Sequence, residues 1–202
     1  MTRHSILFVV IAAAILVAPV GPLNGAGASI AGTVKVTGLA TSADVVVYVQ
    51  EAPGTFPPGK PVVMDQKSMQ FIPHVLPVVA GTAVKFVNSD PTPHNVFSPD
   101  NEKYNLGTWP QGQSKDYTFN KCAKPPCVYT QLCKVHPEME GYIVVLQNPY
   151  FAVTDKAGHY EIANVPPGNY TLAVWHTRTK AQPKPVTVEA AKPATVDFVL
   201  AR

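Results

Sequence analysis

The chain has 202 residues, of which 14% are charged and 46% hydrophobic, and its formal net charge is +3. So small a charge gives no case for nucleic-acid binding, and the apolar fraction is enough to bury the core of one large or two small domains. The 21 prolines and the recurring short runs of Val, Thr and Tyr favour strands and turns over helices.

Residues 1–28 have the layout of an export signal. Arg3 precedes an unbroken apolar run over 6–17, and the small residues Ala26-Gly27-Ala28 follow. Cleavage after Ala28 is expected, with a periplasmic product of net charge +2, because the segment removes Arg3 and no acid. An uncleaved membrane anchor is the alternative, although the run falls short of the roughly 20 apolar residues a span needs.

Residues 29–50 read as two strands. The first passes through Ile30, Gly32, Val34 and Val36 to a turn at Gly38, and the second is the β-branched run over 44–49. Residues 51–61 are a Pro/Gly linker. Residues 69–79 are extended, and Pro73 and Pro77 place them at an edge or a kink. Gly81 turns the chain, and 83–88 alternate and run towards His94. Residues 115–119 alternate again, 127–132 lead straight into Cys133, and 141–146 form a closing strand. The pattern predicts an antiparallel β-sandwich with its chemistry in loops at one end. Beyond it, residues 154–162 read as a hairpin about Gly158, 165–175 as a turn and strand, and 185–189 and 194–200 as two further strands.

The chemistry sits in Cys133-Lys134-Val135-His136-Pro137-Glu138-Met139, with a distant imidazole in Asp90-Pro91-Thr92-Pro93-His94. Two His, one Cys and a weak Met suit both oxidation states of copper in an electron-transfer site. Taken singly, His94 reads as a turn residue, Met139 as core and Cys133 as a buried hydrophobe; their spacing and the export signal argue for metal. A carboxylate from Glu138 or Glu140 in place of Met139 would make a harder site. Three cysteines leave an odd thiol in an exported protein, and ligation explains Cys133. Cys122 and Cys127 then close a small Pro-containing loop as a disulfide, or act as soft ligands for a second copper. His74 is a structural imidazole or a further ligand; His4, His159 and His176 carry no metal role. Lys115, Lys121, Lys124 and Lys134 are either solvated loop lysines or a docking face for an acidic redox partner. Neither a Gly-x-Ser-x-Gly nucleophile motif nor a phosphate-binding glycine loop is present, so no enzymatic activity is expected.

Phe71-Ile72-Pro73, Val78, Gly81, Val84-Lys85-Phe86-Val87-Asn88, His94-Asn95-Val96 and Cys133-x-x-His136-Pro137-x-Met139 together resemble the cupredoxins, with the short His136 to Met139 gap most similar to amicyanin. The resemblance covers 62–148 and implies a Greek-key sandwich holding one copper ion on His94, Cys133, His136 and Met139. It also implies that Asn95 ties the ligand loops together and that the exposed edge of His136 is the electron port. Thr154-Asp155, Gly158-x-Tyr160 and Pro166-Pro167-Gly168-x-Tyr170-x-Leu172 resemble the carboxypeptidase regulatory-like domain, a transthyretin-like sandwich, whose first strands match Gly32-Thr33-Val34 and 44–49. The whole is similar to bacterial proteins labelled plastocyanin-like or methylamine-utilisation proteins.

The expectation is therefore an all-β chain in which 29–50 and 149–202 form one sandwich and 62–148 are inserted into it; a simple tandem is the alternative. The implied function is periplasmic single-electron transport between redox proteins, from a dehydrogenase or quinol-linked donor to a cytochrome or oxidase. The alternative is copper storage or delivery, with Met64, Met69, His74, Cys122 and Cys127 as extra soft ligands.

Overall fold

The structure, a computed structural model, describes residues 27–201. The expected export signal lies outside them except for Gly27 and Ala28. Ala28 is buried and pairs with Val165.

The described strands are β1 (Ala28–Val36), β2 (Val46–Val49), β3 (Val62–Lys67), β4 (Gln70–Ile72), β5 (Val75–Val79), β6 (Ala83–Asn88), β7 (His94–Ser98), β8 (Tyr104–Trp109) and β9 (Ser114–Thr118). They continue with β10 (Cys127–Leu132), β11 (Glu140–Leu146), β12 (Phe151–Val153), β13 (His159–Val165), β14 (Gly168–Trp175), β15 (Lys184–Val188), β16 (Ala194–Thr195) and β17 (Phe198–Leu200). Four sheets result. β4-β3-β6-β9 and β5-β11-β10-β7-β8 form one sandwich; β12-β2-β14-β15 and a sheet in which β1 pairs with β13, β16 and β17 form the other.

The architecture is all-β, as expected, but not wholly antiparallel. β3 runs parallel to β6, β5 to β11, and β1 to both β16 and β17. The extended stretch 69–79 explains one of these pairings. The chain crosses at Ile72-Pro73, leaving β4 at the edge of one sheet and β5 at the edge of the other, where a proline costs no ladder bond. The turn about Gly158 is present, but its flanks do not form a hairpin: β12 pairs with β2, whereas β13 pairs with β1. Residues 194–200 likewise split into β16 and β17. β3 and β8 were not distinguished in the sequence, because neither combines clean alternation with turn residues at both ends.

Two strands are apolar on both faces, and this sets how the sandwiches meet. On β11, Ile143 and Val145 enter the core with Phe71, Phe86 and Tyr129, while Val144 and Leu146 enter a separate cluster with Val46, Tyr48 and Ala173. On β2, Val47 and Val49 face the core of Ile30, Ile162, Leu172 and Phe198, while Val46 and Tyr48 face the junction. A strand buried on both sides reads as an unbroken apolar run, which is why 45–49 and 143–146 do not alternate. The two chain crossings between sandwiches are tied to each other. Gln147 Nε2 donates to the Ala52 carbonyl at 3.0 Å, the Ala52 N–H donates to Gln147 Oε1 at 3.2 Å, and Asn148 Nδ2 donates to the Val49 carbonyl at 2.9 Å.

Candidate metal centre

The centre lies where β7 begins and where the chain leaves β10. The loop before β7 is stapled by fully buried Asn88, whose side chain accepts from the Asp90 N–H at 2.9 Å and donates to the carbonyls of Thr92 at 2.9 Å and Trp109 at 3.1 Å. β7 pairs with β8 through a bulge between Asn95 and Phe97. Bulges re-aim side chains, and here His94, Asn95 and Val96 are all buried in succession.

His94 Nε2 lies 2.8 Å from Asp90 Oδ2. A carboxylate only accepts, so this nitrogen carries the ring proton and Nδ1 keeps a lone pair. Asp90 is itself held: its two oxygens accept the N–H groups of Ser68 at 2.6 Å and Met69 at 2.9 Å. Burial would raise its pKa, but these bonds and His94 outweigh burial and hold it below the ordinary value.

His94 Nδ1 is 2.9 Å from His136 Nδ1 and 4.0 Å from Cys133 Sγ, and the three ligand atoms lie within 4.8 Å of one another. Cys133 is buried and His136 half-buried. Two ring nitrogens facing at 2.9 Å need a proton or a cation between them. A soft thiolate and two imidazoles on one point fit copper by donor chemistry. Cys133 Sγ also accepts the Asn95 N–H at 3.4 Å. Met139 follows in a turn closed by its N–H on the His136 carbonyl at 3.0 Å, and its side chain is 1% exposed within the same core cluster as Cys133.

Asn95 links the two loops. Its Oδ1 accepts the Lys134 N–H at 3.4 Å, and its Nδ2 donates to Asn105 Oδ1 at 2.9 Å and to the Gly107 carbonyl at 2.7 Å. Cys122 and Cys127 form a disulfide, with Cα atoms 5.7 Å apart, at the opposite end of β10 from Cys133. His74 is not part of the cluster; its Nδ1 lies 3.1 Å from the Glu140 carbonyl and its ring stands edge-on to Tyr142.

Sequence reasoning missed Asp90, although an acid four residues before His94 in a turn was a signal for it. It also missed how β10 is steadied. Among the described residues, the ladder between β10 and β7 has a single register pair, Leu132 with Phe97. Side chains of the loop before β8 serve the rest of that edge: Asp100 accepts the Thr130 N–H at 2.7 Å, and Asn101 donates to the Val128 carbonyl at 2.9 Å. Glu102 accepts the hydroxyls of Tyr129 at 2.6 Å and Tyr117 at 2.8 Å.

Residues 60–146 match the copper binding proteins of the plastocyanin/azurin family, and residues 138–201 match the carboxypeptidase regulatory-like domain. The two matches overlap at β11, the strand shared between the copper-side core and the junction. A comparison with curated proteins found no match. Among solved structures, the copper-containing nitrite reductase from Thermus scotoductus SA-01 is 27% identical over 48% of this chain and 25% of its own, with a TM-score of 0.39. A reduced amicyanin variant is 25% identical over 48% of this chain and 86% of its own, with a TM-score of 0.37. The purple cupredoxin from Nitrosopumilus maritimus is 23% identical over 42% of this chain and 98% of its own, with a TM-score of 0.37. The chain thus spans only a quarter of the nitrite reductase's length.

Proposed function

We propose that this chain, which combines a cupredoxin-like copper-binding domain with a carboxypeptidase regulatory-like, transthyretin-like domain, carries single electrons between redox proteins of the periplasm through one copper ion. The observation that carries the reading is the convergence of His94, Cys133 and His136 on one point. Met139 completes the set as a weak ligand. Copper, when bound, supplies a one-electron couple that a trigonal His/His/Cys set serves in both states.

The residues present do the rest. Asp90 fixes the His94 tautomer, and an oriented supporting group of this kind holds a ligand in place. Asn95 holds both ligand loops to one spacing, and burial of Cys133 keeps water from the thiolate. The half-buried ring of His136 is the point at which a partner reaches the centre. In this reading 29–50 and 149–202 form one sandwich into which 62–148 are inserted; the pairing of β1 with β13 and of β2 with β14 supports it. Copper storage is the weaker alternative, because Met64 is fully buried and Cys122 and Cys127 are bonded to each other.

The test is an absorption spectrum of copper-loaded protein beside Cys133→Ser. An intense visible thiolate-to-copper charge-transfer band, lost in the variant, is the expected result. Copper binding without that band overturns the carrier reading. Turnover of nitrite or oxygen by the loaded protein would overturn its assignment as a non-enzyme.

A further inference from the structure

We propose that Tyr117 and Tyr129, joined through Glu102, form a redox-active tyrosine pair, which gives one electron to a strong one-electron oxidant while a phenol proton passes to the carboxylate. Both phenols donate to that one group, Tyr129 to Oε2 at 2.6 Å and Tyr117 to Oε1 at 2.8 Å. The shorter bond has the length of a charge-assisted one.

A neutral phenol holds its proton firmly, but a phenol that has lost an electron is a strong acid and must release it. In a dry site the release needs a base already within hydrogen-bond reach. An ionised carboxylate only accepts, and against the pull of burial the phenol hydrogen bonds hold Glu102 below its ordinary pKa. The neighbouring phenols lack this arrangement. Tyr160 and Tyr170 donate to the backbone carbonyls of Val196 and Pro166, and Tyr104 donates to the Gln131 amide oxygen, none of which is a base at neutral pH. Tyr142 does donate to a carboxylate, but its partner Glu140 is exposed and its ring packs against His74 and Trp175, away from the pair.

The pair lies between the surface and the strand that leads to Cys133. Tyr117 is half-buried, and its ring stacks on Tyr104 with centroids 4.0 Å apart. Phe119 lies 5.0 Å from Tyr117 and 4.9 Å from Tyr129, which is fully buried on β10. Gln131, next but one to Cys133, accepts the Tyr104 hydroxyl and donates to the Tyr129 carbonyl at 3.0 Å. Ring contacts and hydrogen bonds therefore run unbroken from Tyr117 to the end of β10. The oxidant takes one electron from a phenol, and the O–H proton moves to Glu102. An electron arriving along β10 from the metal centre then reduces the phenoxyl, and Glu102 returns the proton. The net change is one electron passed from the centre to the oxidant, with no proton gained or lost. That refilling rests on the function proposed above; oxidation of the pair does not.

The experiment generates a ruthenium(III) polypyridyl oxidant by laser flash and follows the phenoxyl radical by transient absorption and electron paramagnetic resonance. It uses the full chain in three forms: loaded with oxidised copper, loaded with reduced copper, and metal-free as Cys133→Ser, which removes a competing thiol. A tyrosyl radical is expected in the first and third forms. Tyr117→Phe combined with Tyr129→Phe should abolish it, and Tyr142→Phe should leave it unchanged. Glu102→Gln should slow its formation about a hundredfold, as loss of a positioned base does. Far-UV circular dichroism reports the fold of each variant, and the Phe changes keep the rings in place should Glu102→Gln unfold. In the form with reduced copper the radical should decay faster, in step with the appearance of oxidised copper. A radical that survives the double Phe variant, or one whose formation ignores Glu102→Gln, overturns the site. Equal lifetimes with reduced and oxidised copper overturn its link to the metal centre, whereas failure of the carrier reading leaves the radical of Cys133→Ser in place.

Discussion

The two sandwiches are both all-β, yet they bury different chemistry. In the copper-side sandwich, Gln66, Asn88, Asp90, His94, Asn95, Ser98 and Gln131 are buried, whereas in the other only Asn148, Thr154 and Thr179 are, among the described residues. The buried polar atoms without a partner, Asp65 Oδ1, Gln66 Oε1 and Trp109 Nε1, also all belong to the copper side. An inward polar group costs stability unless it is satisfied. The second sandwich avoids that cost and packs Val, Ile, Leu and Phe. The first accepts it, and Asn88, Asp90 and Asn95 use their hydrogen bonds to fix His94 and the loops that carry the candidate ligand atoms. Changes on the copper side should therefore alter metal binding more than folding, and changes in the second sandwich the reverse.

The sharpest way to break this contrast is His94→Ala. It should weaken copper binding at least about a hundredfold, beyond the ten- to hundredfold typical of losing a supporting group, while far-UV circular dichroism stays unchanged. A copper titration measures the loss; unfolding of the variant would mean that the polar cluster is structural. The converse is Leu172→Ala, fully buried in the second sandwich. It should cost about 2–5 kcal/mol, seen as a lower urea midpoint, with the copper spectrum of the folded protein unmoved. A shifted spectrum would show that the junction transmits strain to the ligand loop.

Asp90→Asn is a smaller change on the copper side. It should weaken copper binding by about ten- to hundredfold, and Asp90→Glu should recover part of that in the same titration. The smallest effect concerns Glu102. Burial would raise its pKa, but hydrogen bonds from Tyr129 and Tyr117 outweigh it and hold the carboxyl below its ordinary 4.5. A depressed carboxyl contributes stability above the ordinary value and loses it as pH falls through the folded value, so wild type should weaken from about pH 5 downward. Glu102→Gln should flatten that limb in acid-unfolding curves. The phenol of Tyr117 is pushed up to about 12, first by burial and then by Glu102. Its contribution is complete below pH 10 and is lost as pH rises through about 12.

Much of this was legible along the chain. The spacing of Cys133, His136 and Met139 marks a local loop, and β-branched runs between Pro/Gly turns mark the strands, because both are short-range patterns. What stayed hidden depends on distant contacts. Nothing local shows that Gly141 must lack a side chain: a Cβ there would come within 2.7 Å of Phe71 Cβ and 3.3 Å of the His74 carbonyl, because β11 runs close against both. Nor could the flanks of Gly158 be assigned to different sheets, since a tight turn looks the same whether its strands pair with each other or with β1 and β2.

The sequence by itself determined the all-β character, the candidate donor residues and the order in which they arrive, since these depend on residue type and on spacings along the chain. Only the tertiary structure decided that Asp90 orients His94, that Asp100 and Asn101 serve the edge of β10, that Met64 is core while Met69 is exposed, and that β11 and β2 are apolar on both faces because two sandwiches share a junction. Each of these is set by which strands pair across long stretches of chain, and pairing at that range has no signature in neighbouring residues.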